Sequence, residues 1–183
     1  MKRWLRRNFL GLIAIVLLVP ATVAITFANE LGSYDRSRAT EAISVAAADP
    51  ADYAGTGWQL TDVRRIPWGS DEGADAGIPR GTDLVLVTVE VTPDRLDADG
   101  LPPLCIVRLD EMDGTSVQRS WANASSDLSD YRASEGVESY CTRETVDPYL
   151  LESIFLVPSD ASDELAMGVQ VEQELPRYLS LRL

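Results

Sequence analysis

An uncharged run of 20 residues, Phe9–Ala28 (FLGLIAIVLLVPATVAITFA), constrains this chain more than any other feature. As an α-helix it would extend about 30 Å, the thickness of a bilayer's hydrocarbon core. Lys2, Arg3, Arg6 and Arg7 precede the run, and the first acid, Glu30, follows it. The positive-inside rule then predicts a cytoplasmic basic tail over 1–8 and a transmembrane helix over 9–28. A tether follows over 29–41, and an extracytoplasmic domain over 42–183. Trp4 suits the headgroup layer of the inner face.

A cleaved signal peptide is the alternative. Phe9–Val19 resembles its apolar core, and Thr22-Val23-Ala24 a small-residue cleavage site, with cleavage near Ala24 or Ala28. Continuation of the apolar run past Ala24 favours an uncleaved anchor, in which Pro20 bends the helix. No cysteine lies near the cleavage region, which excludes a bacterial lipoprotein. A buried core helix fits poorly with the four flanking positive charges. The first two readings place the rest of the chain outside the cytoplasm, one on a single-pass anchor and the other as a secreted form.

Beyond residue 8 the chain holds 12 arginines against all 29 acidic residues, a net charge of −17. Nucleic acid needs a basic face, so that partner is excluded, and so is docking on anionic headgroups. The bland reading of the acidity is solubility. Lys2 is the one lysine, a bias read as the base composition of a GC-rich bacterium. Histidine is absent, so Ser-His-Asp and Cys-His catalysis are excluded within this chain. No nucleotide-binding loop is present.

Cys105 and Cys141 both fall on the outer side. An even count in an oxidising compartment predicts a disulfide, with two buried thiols as the alternative. Closing a loop of about 37 residues is worth about 4 kcal/mol in the chain-entropy model. Without a CxxC pair or a histidine, neither thiol exchange nor zinc binding is expected.

Strand signals recur through the rest. Ala42–Ala46 reads as a short first strand, stopped by Asp49-Pro50. Gly57–Arg65 alternates with a slip near Asp62, which reads as a bulge. Pro67–Arg80 reads as a loop. Thr82–Thr92 is Val-rich and apolar on both faces at its start, the mark of a central strand. Leu104–Leu109 and Thr115–Trp121 form a hairpin around Asp113-Gly114. Residues 122–136 read as a polar loop, and Val137–Thr142 as a strand. Tyr149–Val157 fits helix or strand, with the flanking prolines favouring strand. Leu165–Gln173 and Tyr178–Leu183 alternate. Removing the anchor leaves roughly 150 residues, one ordinary domain. The pattern predicts an all-β fold, a β-sandwich of about 7–9 strands behind one N-terminal transmembrane helix.

A Pro-Gly loop runs into the long strand (IPRGTDLVLVTVEVTP). A hairpin closed by Asp-Gly (LDEMDGTSV), a strand ending in proline (SIFLVP) and a terminal YLSLRL follow. Over about Ser44–Leu183 this order resembles the telokin-like, immunoglobulin-like domains of unknown function that bacteria, actinobacteria among them, place behind one N-terminal membrane segment. The resemblance implies an immunoglobulin-like extracytoplasmic sandwich. It supplies no catalytic residue, and no feature of such domains accounts for the Pro67–Arg80 loop.

The acidic turns invite a calcium reading. With Gly100 as the sixth position of an EF-hand loop, the first ligand would be Arg95 and the twelfth Ile106. With Gly114 there, those positions fall on Leu109 and Ser120. Neither works, and Asp and Gly suit turns in any case. Asp71–Asp75 reads as another solvated acidic loop. Asn123-Ala124-Ser125 fits a glycosylation sequon and is read as coincidence. Trp58 and Trp121 lie inside strands, as core residues would. Trp68, beside Pro67 in a loop, is the candidate for an exposed contact. Arg64 and Arg65 form a basic pair suited either to a bound carboxylate or phosphate or to neighbouring acids.

No catalytic residue, metal ligand or cofactor is expected. The sequence supports a non-enzymatic, membrane-anchored accessory module that binds an unidentified membrane or envelope protein. The alternatives are a calcium-stabilised adhesion module and a carboxylate-dependent envelope hydrolase.

Overall fold

A computed structural model describes residues 2–47, 49–125, 128, 131 and 136–183. The chain divides into two compact units, one ending at Arg38 and the other running from Ala39 to Leu183.

The first unit is a single helix, α1 (Lys2–Arg36), with Pro20 inside it. It is long and apolar enough to cross a bilayer, as an anchor or a signal sequence would be. Leu10, Val16, Leu17, Leu18, Ile25 and Phe27 are exposed along it. The tether expected over 29–41 is corrected here, because the helix continues to Arg36. Only Gly32 in that stretch opposes helix, and one glycine costs about 1 kcal/mol. The Ser37 N–H closes the last turn onto the Ser33 and Tyr34 carbonyls.

The second unit is mostly β. Nine strands are described: β1 (Glu41–Val45), β2 (Ala51–Tyr53), β3 (Thr56–Pro67), β4 (Thr82–Pro93), β5 (Cys105–Asp113), β6 (Ser116–Ala122), β7 (Tyr149–Pro158), β8 (Leu165–Val171) and β9 (Arg177–Arg182). They form a five-stranded sheet in the order β1-β9-β8-β5-β6 and a four-stranded sheet in the order β2-β3-β4-β7. Within the two sheets, β1 and β9 run parallel and the other pairs antiparallel.

Side-chain alternation builds the sandwich. Val85, Val87, Val89 and Val91 of β4 pack with Leu151, Phe155 and Val157 of β7, facing Leu109, Met167, Val169 and Leu179 of the other sheet. Burying each such side chain fully contributes about 1.5–3 kcal/mol. The other face of β4 is apolar as well. Leu84 and Leu86 join Ile66, Ile78, Leu128 and Ile154 in a smaller cluster on the outer surface of the sheet. The doubly apolar start of this strand thus reflects two cores.

The segment after β3 covers that second cluster. Where a loop was expected over 67–80, a short helix, α2 (Asp71–Asp75), forms inside it. The Ser70 hydroxyl accepts the Gly73 N–H at 3.0 Å and starts this helix. A β-carbon on Gly73 would lie 2.2 Å from the Pro67 carbonyl oxygen, so the turn closes only around glycine. In β3 the register shifts between Leu60 and Asp62, and the Thr61 hydroxyl donates to the Thr88 carbonyl there.

The strand expected over Val137–Thr142 does not form. Glu138 alone bridges to Leu151, while the chain around it passes the edge of β7. Hydrogen bonds from the N–H groups of Ala124 and Glu138 to the Ile154 and Leu150 carbonyls, each 2.8 Å, cap that edge. Of the loop expected over 122–136, residues 126–127, 129–130 and 132–135 lie outside the described residues.

Candidate functional site

The chain enters the β unit at Ala39, and the Thr40 and Glu41 N–H groups both donate to the Pro176 carbonyl. At this Ala39 end, five separated stretches enclose a cleft of about 340 Å³, namely Ala54, Arg95–Asp97, Pro103–Leu104, Arg143 and Val171–Glu174. Its size falls within the range of small-ligand pockets, about 300–1,000 Å³.

Each wall has a local cause. Ala54 and Gly55 join β2 to β3, and both have positive φ, 57° and 70°. Such a pair makes the tight hairpin turn that suits the twist of the flanking strands. The Gly55 carbonyl accepts the Asp94 and Arg95 N–H groups at 3.1 and 2.7 Å. A β-carbon on Gly55 would stand 2.5 Å from that of Arg95, so glycine permits this close approach. Arg95 is thereby fixed at the rim.

Asp97 holds the next wall. Its Oδ1 accepts the N–H groups of Asp99 and Leu101 at 2.9 and 3.0 Å, and its Oδ2 pairs with Arg143. The Leu101 N–H, joined by that of Asp99 and by the Arg143 charge, holds the Asp97 carboxyl below its ordinary range. Arg143 stands two residues past Cys141, which forms a disulfide with Cys105 at a Cα–Cα distance of 5.5 Å. The disulfide therefore ties the Arg143 wall to the start of β5, beside Pro103 and Leu104.

Buried Tyr53 joins the two sheets below the cleft. Its hydroxyl donates to the Arg177 carbonyl at 3.0 Å and accepts the Val171 N–H at 3.4 Å. Burial is the main cause raising its pKa.

Two properties set the cleft apart. The Arg143 Nε is buried without a hydrogen-bond partner among the described residues. A buried, unsatisfied donor costs roughly 1–3 kcal/mol. Beside it, Leu96 and Leu104 are 40% and 57% exposed. Leu101 and Ile106, close by in sequence, are exposed too.

Trp68, Arg64 and Arg65, singled out from sequence as contacts, do not line the cleft. Trp68 is 37% exposed, with the Arg80 guanidinium 5.4 Å from the centre of its ring. Neighbours on a strand point to opposite faces, and so Arg64 and Arg65 separate. Arg64 pairs with Glu72 of α2. Arg65 reaches Asp83 at 2.9 Å, Asp163 at 3.0 Å and the Ala161 carbonyl at 3.1 Å. The pair is thus no joint anion clamp: each guanidinium is already occupied by the protein's own acids.

The acidic turns take structural work. Asp110 is fully buried, bonded to Arg108 and Ser120. Glu111 accepts from Arg119 and from the Ser162 N–H. The Asn123 side chain accepts the Ser125 N–H and donates to the Ser139 carbonyl. Sequence reasoning missed Arg95, Leu96, Leu104 and Arg143. The one available signal was the closeness of Leu104 and Arg143 to the two cysteines.

No protein-family model matches the chain, and no curated protein matches it. Among solved structures, it is similar to an uncharacterized β-sandwich protein from Clostridium difficile 630. The identity is 6% and the TM-score 0.39, over 79% of this chain and 95% of that one.

Proposed function

We propose that this protein is a non-enzymatic, membrane-anchored extracytoplasmic module that binds a protein or cell-envelope partner through its immunoglobulin-like domain. The carrying observation is the cleft at the Ala39 end, where exposed Leu96 and Leu104 flank a buried, unpartnered guanidinium nitrogen. Exposed apolar contacts of this kind lose their water-facing area when a partner arrives. The basic cluster before the apolar helix supports an orientation with the N-terminus inside. A disulfide in the β unit suits an oxidising compartment. An anchor raises the local concentration of the cleft near membrane-bound partners. Two stacked sheets of five and four mostly antiparallel strands support the immunoglobulin-like reading.

Site-specific photo-crosslinking in intact cells tests the proposal. A photoreactive residue at Leu104 is expected to give a discrete adduct in the membrane fraction, and one at Asp163 none. Equal labelling from both positions, or none from Leu104, would overturn it.

A further inference from the structure

A sheet edge is where a β domain can take on a strand from another chain. Among the described residues, three of the four edges are guarded. Ala124 and Glu138 cap β7. β6 carries a bulge: Arg119 and Val117 pair with consecutive residues of β5, and Gln118 has no partner there. β2 is three residues long, and past it the edge of β3 holds the bulge at Thr61, then Asp62, Arg64, Arg65 and Pro67. Short strands, bulges, charges and proline all resist an added strand.

β1 has fewer defences. It ends the five-stranded sheet and is exposed along most of its length, with Glu41 its one charge. The Glu41 N–H donates to the Pro176 carbonyl at 3.0 Å, so Glu41, Ile43 and Val45 turn their N–H and C=O groups towards β9. Ala42 and Ser44 therefore turn theirs outwards, where no strand follows among the described residues. Ile43 pairs with Leu179, a core residue, and so lies on the core-facing side of the sheet. It is nonetheless 38% exposed, because the sheet stops there.

This edge is complementary to itself. Two β1 strands matched antiparallel over their full length meet with Ile43 opposite Ile43 of the second copy. Ala42 then faces Ser44 of the copy, and such a pair exchanges both N–H···O bonds. The central Ile43 pair is of the non-hydrogen-bonded kind, with Cα atoms about 4.5 Å apart and side chains closest. A slip of one position would set Ala42 against Ile43, whose backbone groups already face β9. A slip of two would leave the strand ends unpaired. Charge selects the same register. Beyond residue 8 the chain carries −17, which repels a copy from most of the surface. In the β1 pair the two Glu41 residues fall at opposite ends, about 14 Å apart, beyond the screening length of roughly 8 Å at physiological salt. Each also stands beside Arg177 of its own β9.

We propose that β1 is a homodimerisation edge, through which two copies of this chain join their five-stranded sheets by antiparallel pairing centred on Ile43. Five paired residues bury far less than the roughly 1,200 Å² of a stable interface, so free domains associate weakly. Copies held in one bilayer by α1, as the anchored reading has it, meet at a higher effective concentration. The pairing itself draws only on β1.

The full chain in lipid vesicles provides the test. The native cysteines are joined to each other, so an added cysteine reports on its own surroundings. Under mild oxidation Ile43→Cys is expected to give a disulfide-linked dimer, and Glu41→Cys at least about tenfold less, because only the central pair brings its Cα atoms within bridging range. Mixing Glu41→Cys with Val45→Cys chains should restore the cross-link. Energy transfer between donor- and acceptor-labelled chains reads the dimer without cysteines in β1. Ser44→Pro removes an outward N–H at an edge position that tolerates proline, and should leave the far-ultraviolet circular dichroism unchanged while lowering the dimer fraction at least about tenfold. Ile43→Glu, which sets like charges opposite each other, should do the same. Equal cross-linking from Ile43→Cys and Glu41→Cys, or none from Ile43→Cys, would overturn the proposal. So would a dimer that survives both Ser44→Pro and Ile43→Glu, which α1 would then be holding. A Leu104 adduct with another protein judges the binding-module reading separately, since neither substitution touches the cleft.

Discussion

At the Gly114 end of the β unit every guanidinium nitrogen of Arg65 and Arg119 is hydrogen-bonded, whereas at the Ala39 end Arg95 and Arg143 keep nitrogens without a partner among the described residues. Both ends face the same mechanical problem, because each has a connection that crosses from the four-stranded sheet to the five-stranded one. At the Gly114 end that connection is Pro158–Glu164, between β7 and β8. Arg65 of one sheet grips it through the Ala161 carbonyl and Asp163, and Arg119 of the other through Asp160. Glu111 accepts the Ser162 N–H, and the Ser159 hydroxyl donates to Asp83 at 2.8 Å. At the Ala39 end the crossing is residues 94–104, between β4 and β5. Here a disulfide, an Asp97 turn and the close approach at Gly55 do the pinning. A covalent link leaves guanidinium donors over. The contrast shows that a connection can be secured without consuming the charges beside it.

Removing the disulfide is the severest way to break this comparison. Cys105→Ser with Cys141→Ser frees a loop whose ends are separated by 36 positions. The expected loss is about 4 kcal/mol. Urea denaturation of the full chain in micelles, with and without reductant, measures it. A midpoint indifferent to reductant would show that the Ala39 end is held by other means.

Arg65→Met tests the opposite end. It strands the Asp83 carboxylate, whose side chain is 10% exposed, along with the Ala161 carbonyl. A stability loss of about 2–4 kcal/mol is expected. Arg95→Gln, at the Ala39 end, should move stability by less than about 0.5 kcal/mol. Similar losses from the two variants would erase the distinction between filled and spare guanidinium groups.

Much of the framework behind this comparison is legible in the sequence. Thr82–Thr92 reads as a central strand because both its faces are apolar, and β4 lies between β3 and β7. The cysteine count anticipates the disulfide. The cleft is not legible, because Ala54, Arg95 with Leu104, Arg143 and Glu172 come from four separate connections that follow no period. Pattern reading sees elements, and this site is built between them. Arg64-Arg65 misleads for a related reason. Adjacency suggests one patch, and strand alternation sends the two side chains apart. The Pro67–Arg80 segment hid α2, since a helix of five residues has no periodicity to read and depends on the Ser70 cap.

Acid titration gives the smallest effect and separates the two ends by the cause of their shifts. Hydrogen bonding from Arg119, then from the Ser162 N–H, pushes the Glu111 carboxyl down from its ordinary 4.5 to about 2. The folded value lies below the unfolded one. The Arg119–Glu111 contact therefore contributes fully above about pH 4.5, and its contribution is lost as pH falls towards about 2. Between those values the unfolded chain binds up to one proton more at this site than the folded chain does. Glu111→Gln abolishes that difference, so its plot of unfolding free energy against pH should be shallower than the parent's by up to one proton across this window. Asp97→Asn should also flatten the curve on acidification, because Asp97 is depressed too. There the leading cause is the Leu101 N–H rather than an arginine. The two variants then diverge with salt. Raising ionic strength from 0.05 to 1 M shortens the screening length from roughly 14 to about 3 Å, which weakens an ion pair reached by solvent on one side, as Arg119–Glu111 is with Arg119 39% exposed and Glu111 9%, more than a backbone hydrogen bond. The Glu111 effect should therefore shrink in high salt while the Asp97 effect persists. Equal salt sensitivity at the two sites would show that both carboxylates are held by charge, and that the Ala39 end uses its arginines as fully as the Gly114 end does.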